Sequence, residues 1–110
     1  MAYDEELAAR VRAVLADVAG LSEKRMFGGL AFLVDRNMAV AVRGGGGLMV
    51  RADPARADEL LVHSGVDPMV MRGREMAGWL LVDPAAVCDD DELAEWVTVG
   101  LDGAALQPPK

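Results

Sequence analysis

Apolar residues recur at helical spacing in the first part of the chain and at strand-like spacing through its middle. Leu7, Ala8, Val11, Val14, Leu15 and Val18 fall on one face of a 3.6-residue period, with Glu5, Glu6, Arg10, Arg12 and Asp17 elsewhere. With Asp4 as N-cap and Gly20 just beyond the C-terminus, this pattern predicts a helix over about 4–18. The period then changes. Segments 23–27, 30–35, 38–43 and 48–52 are short, apolar and separated by turn signals, which predicts strands. Arg36-Asn37 and the glycine run 44–47 are short enough for hairpins, so these strands should form an antiparallel meander.

Three Asp-Pro pairs punctuate the remainder: Asp53-Pro54, Asp67-Pro68 and Asp83-Pro84. Asp as N-cap with Pro at the first helical position starts a helix. The first pair opens one over about 54–63, with Ala57, Leu60 and Leu61 turned inward. The second leads into Met69-Val70-Met71, and Arg72-Gly73-Arg74 follows as a turn. Residues 78–82 make a last strand containing Trp79, and Asp83-Pro84 ends it and starts a short helical turn. Asp89-Asp90-Asp91 then caps a final helix whose buried face carries Leu93, Trp96, Val97, Gly100, Leu101 and Ala104. The fold class is α+β. An antiparallel sheet of about five to six strands packs with an N-terminal, a middle and a C-terminal helix. Residues 1–110 form one domain, with 107–110 as a tail.

The corner between the first two strands, Phe27-Gly28-Gly29, follows the basic pair Lys24-Arg25. Paired glycines permit positive φ and close approach of another segment. The corner therefore either turns the sheet or frames a small site.

Composition narrows the class. At 110 residues, 53% apolar and 26% charged, the chain is long enough to bury a core without staples. No apolar run reaches the roughly 20 residues of a membrane helix, and the start lacks the features of a signal peptide. One cysteine, Cys88, allows no internal disulfide and suits a reducing compartment, so a cytoplasmic location is expected. The net charge of −7 is uneven: −2 over 1–20, +1 over 21–82 and −6 over 83–110. An acidic chain of this kind is a poor nucleic-acid binder, since phosphate neutralisation supplies most of that affinity.

Catalytic chemistry is sparse. The chain has one His (His63), one Cys (Cys88), two Ser (Ser22, Ser64), one Thr (Thr98) and one Tyr (Tyr3). A Cys88–His63 nucleophile pair would have to meet across the fold, without any local signature. Cys88 is expected as a small buried apolar residue, and no Ser lies in a nucleophile elbow. Two Cys/His residues cannot make a structural zinc site, and 89–92 lacks calcium-loop spacing. The glycine run 44–47 lacks the ending of a phosphate loop. No enzyme, metal or cofactor is therefore expected.

Two features carry the remaining chemistry. Arg25, Arg43, Arg51 and Arg74, with Arg72, lie on or beside strands. If register aligns them, their guanidinium groups would form an anion site. The alternative is a solvated surface in which they pair with Glu23, Asp35, Glu75 and the acidic end of the chain. Met26, Met38, Met49, Met69, Met71 and Met76 all lie in the sheet region, where methionine either fills core gaps or makes adaptable contacts. Leu30, Phe32 and Val34 oppose Ala31 and Leu33, so both sheet faces read as apolar. Such a surface lies under helices or in a homodimer interface.

The succession Met26-Phe27-Gly28-Gly29-Leu30-Ala31-Phe32, Asn37-Met38-Ala39-Val40, Leu48-Met49-Val50-Arg51, Gly78-Trp79 and Asp89-Asp90-Asp91-Glu92-Leu93, with Trp96, covers about residues 4–105. It resembles the N-terminal domain of TfoX/Sxy-type proteins, regulators of bacterial competence. The resemblance implies an α+β domain with an antiparallel sheet and no established catalytic activity. Full-length regulators carry a second, helical C-terminal domain, so a stand-alone N-terminal domain is expected here. The functional expectation is a non-enzymatic regulatory module that binds a protein partner. The rival is a binder of, or weak enzyme on, a small anionic metabolite held by the strand arginines.

Overall fold

The computed structural model describes residues 3–26 and 28–107. Phe27 of the expected corner and residues 108–110 of the expected tail lie outside the described residues. Helix α1 (Glu5–Val14) is capped by Asp4, whose carboxylate accepts from the amides of Glu6 and Leu7. It ends earlier than its apolar pattern predicts, although Leu15 just beyond it is fully buried. Strands β1 (Leu21–Met26), β2 (Gly29–Val34), β3 (Asn37–Val42) and β4 (Leu48–Arg51) follow as an antiparallel meander. The β2–β3 hairpin turns at Asp35-Arg36, one residue earlier than expected. Both residues have positive φ, the geometry whose twist matches a two-residue hairpin.

Helix α2 (Pro54–Leu60) then leads to β5 (Val66–Met71), β6 (Arg74–Val82), a 3-10 turn (Pro84–Val87) and α3 (Asp90–Ala105). Asp53, Asp83 and Asp89 each cap the helix that follows, accepting from Ala55, Ala85 and Asp91. Asp67-Pro68 starts no helix. It lies inside β5, an edge strand, where a missing N–H is tolerated. The six strands run in the order β1-β2-β3-β4-β6-β5, so the chain returns from α2 to the far edge and β6 fills the gap.

The helices cover one face of this sheet. Phe32, Val40, Val42, Leu48, Val50, Leu80 and Val82 point into the core beneath Leu7, Val11, Leu93, Trp96 and Val97. Full burial of each large apolar side chain contributes about 1.5–3 kcal/mol. Helix α3 crosses β3 and β4 closely, because Gly100 and Gly103 lie against the Ala39 and Arg51 carbonyls. Arg10 ties α1 to the start of α3, bonding Asp90 at 2.9 Å and the Cys88 carbonyl at 3.1 Å. Arg12 bridges to Glu23 on β1 through two hydrogen bonds of 2.7 and 2.9 Å, and lies 6.0 Å from the Phe32 ring centroid. Among the described residues, no helix is long and apolar enough to cross a membrane.

Two expectations follow. In Gly103→Ala, the new methyl would overlap the Arg51 carbonyl, so α3 must lift from the sheet. The substitution should cost about 1–3 kcal/mol although alanine is the better helix former. Thermal unfolding measures this, at about 4–8 °C per kcal/mol for a domain near this size. The second concerns acid. Hydrogen bonding to Arg12 holds the Glu23 carboxyl below its usual pKa and raises that of Arg12. The pair's contribution is therefore complete above the unfolded Glu value, about 4.3, and is lost as pH falls through the lower folded value. The melting difference between wild type and Arg12→Gln should be largest near neutrality and shrink in acid. A difference that persists in strong acid would assign it to the packing of Arg12 on Phe32 instead.

Candidate functional site

The opposite face of the sheet has no helix over it among the described residues, and its side chains follow from register. Residues flanking the core positions alternate outward, so Ala31, Leu33, Ala41, Met49, Trp79 and Leu81 share this face. They frame a groove of about 630 Å³. Met26, Met38, Met49, Met69 and Met76, from five different strands, line it with Ala41, Trp79 and Leu81, and Arg43, Gly44 and Gly45 close it where β3 ends. Most of these side chains are half-buried, and Met76 is 38% exposed. The volume is within the roughly 300–1,000 Å³ of ligand sites, and the flexible thioethers can adapt to an occupant.

The strand arginines divide between locations. Arg43 lies in the groove lining. Arg51 is on the same face, its guanidinium carbon 4.4 Å from the ring centroid of its cross-strand neighbour Trp79. Its Nε is buried without a hydrogen-bond partner, and burial lowers its pKa from the ordinary value. An arginine so placed remains a cation and gains a cation–π contact. Arg25 pairs with Leu30 and so takes the helix-bearing side of β1. Arg74 opens β6 opposite Met71 and is exposed, with Arg72 in the adjoining turn. The expected pairing of these arginines with Glu23 is not what forms, since Glu23 binds Arg12. Ion pairs among the described residues join Arg10 to Asp90, Arg12 to Glu23 and Arg56 to Glu59.

Gly28 turns the sheet at the β1–β2 corner with φ 75°, and Gly29 is buried against the Val42 carbonyl and forms part of the groove. A second hollow of about 760 Å³ lies in the helix layer between α2 and α3. His63 borders it, its ring edge-on to Trp96 at 5.7 Å, with Ser64, Thr98, Glu92, Glu95 and Asp102. Cys88 is exposed rather than buried, because it ends the 3-10 turn, where its thiol donates to the Pro84 carbonyl. It does not line the His63 hollow. Among the described residues, no group of three or more His, Cys, Asp and Glu is placed to hold a metal.

The stacking of Arg51 on Trp79 escapes sequence reasoning, because it depends on β4 pairing with β6 across an intervening helix and strand. The available signal was the single charge that ends an otherwise apolar β4.

No curated protein and no solved structure matches this chain. The family of the TfoX N-terminal domain matches residues 13–104, which takes in every strand, α2, the 3-10 turn and nearly all of α3. The chain belongs to the TfoX N-terminal domain family.

Proposed function

We propose that this chain is a non-enzymatic regulatory domain of the cytoplasm that works by binding protein through the open face of its sheet. The observation that carries the reading is the uncovered, methionine-lined groove, since exposed apolar surface rimmed by polar groups marks interaction sites. The net charge of −7 disfavours nucleic acid as the partner. The three α-helices carry nine carboxylates against three arginines, a layer that would repel phosphate. The placement of Arg43 at the groove supports a second reading, a small anion with an apolar body.

Met49 lies at the centre of the open face, and Met49→Glu there leaves the helix-covered core untouched. Proteins retained from lysate by immobilised wild type should be lost by this variant at unchanged far-UV circular dichroism. An identical retained set would remove the reading. If instead a carboxylate or phosphate raises the melting temperature of the wild type but not of Arg43→Gln, the second reading replaces it. A ligand at about 100 times its Kd should add roughly 2.7 kcal/mol.

A further inference from the structure

Register sets one residue from each strand in a single row across the open face. From edge to edge the row reads Lys24, Ala31, Ala41, Met49, Leu81 and Asp67. It is antisymmetric about its middle. A cation and two methyl side chains on one half are answered by two long apolar side chains and a carboxylate on the other. A two-fold axis parallel to the strands, between β3 and β4, would bring Lys24 over the partner's Asp67, Ala31 over the partner's Leu81 and Ala41 over the partner's Met49. Each contact then occurs twice, as an isologous interface requires.

The next row differs in kind, and the same axis sets Met38 over the partner's Arg51. Leu33 and Met38 pair on one half, and Arg51 and Trp79 on the other. The same axis lays the large aromatic Trp79 over the partner's Leu33. Aromatic and arginine side chains of this kind anchor the centres of interfaces. Ala41 is 6% exposed at the groove floor and Ala31 is fully buried, so contact with this half requires neighbouring side chains to move. Unbranched thioethers can swing aside to admit another side chain.

We infer that the open face binds a second copy of this chain, forming a face-to-face two-fold dimer. The inference rests on the reading of this face as the recognition surface and names its occupant. Packing at the usual sheet-to-sheet spacing of about 10 Å closes both grooves and leaves the acidic helix layers on the two outer surfaces, where they repel least. Six strands about 4.8 Å apart and about 20 Å long give a footprint near 500 Å² per copy before side-chain relief. Standard interfaces take about 800 Å² of accessible surface from each partner, so this dimer should dissociate on dilution to micromolar concentration.

A reciprocal charge swap tests the pairing, since Lys24 and Asp67 are both exposed, and unchanged far-UV circular dichroism checks that each variant folds. Light scattering and sedimentation should show a concentration-dependent dimer for the wild type. Lys24→Glu and Asp67→Lys should each raise its Kd roughly tenfold, because symmetry counts each substitution twice. The double variant should recover the wild-type Kd, and an equimolar mixture of the two single variants should form a heterodimer. Ala41→Trp, which fills the small half, should give a folded monomer. A wild type monomeric at submillimolar concentration overturns the proposal, as does a dimer indifferent to both charge changes or one weakened by each and not restored by both. If the chain is monomeric while Met49→Glu still abolishes capture of another protein, only the self-pairing falls and the recognition reading stands.

Discussion

A sheet buries its apolar side chains only where something lies over it, and the helices of this chain suffice for one face of six strands. That cover depends on how closely α3 can approach. Gly100 and Gly103 set its axis against the backbones of β3 and β4, so side chains from α1 and the 3-10 turn can reach the same core. A bulkier residue at either position would open a gap of one methyl group, and close-packed interiors lose dispersion contacts steeply with such gaps. Arg10 and Arg12 hold the rest of the layer at its edge, one to the start of α3 and one to β1. With the helical mass committed to one side, the other face keeps its apolar surface uncovered among the described residues.

This division also separates charge. The carboxylates that cap and line the helices project from the covered side, while the open face carries Arg43 and Arg51 beside apolar groups. Arg51 shows what that costs. Its guanidinium gives up solvent to lie on Trp79, and its Nε finds no acceptor in the described chain. A cation held in this way is stiffer than one in water, so less side-chain entropy remains to be lost when something packs against it.

Local chemistry made much of the fold legible. The aspartate caps, the apolar stripe of α1 and the β1–β4 meander all read directly, because each is decided by residues a few positions apart. Asp67-Pro68 resembles the other Asp-Pro pairs locally, and only its place on an edge strand makes it different. The insertion of β6 between β4 and β5 is a long-range choice that no local signal encodes. For that reason the sequence could name the strand methionines and arginines but not sort them. Arg25 and Arg51 look alike in sequence and take opposite faces, since the two strands differ in which alternate position meets the core.

The edges of the sheet explain why its face, rather than its rim, is the surface open to association. An exposed strand edge invites pairing with another chain, and both edges here are blunted. β1 places Glu23, Lys24 and Arg25 in succession, with Glu23 engaged by Arg12. β5 carries Pro68, which lacks a donor, and an irregular register beside it. Strand addition would have to strip those charges or bridge that break. Packing across the face requires neither, because the backbone bonds of the inner strands are already made and only side chains must come together. In the proposed dimer the charged ends of the row would fix which half meets which, and like-charge contact would penalise the opposite orientation. An apolar face between protected edges would limit the proposed assembly to a closed pair, where an unprotected edge would let it continue.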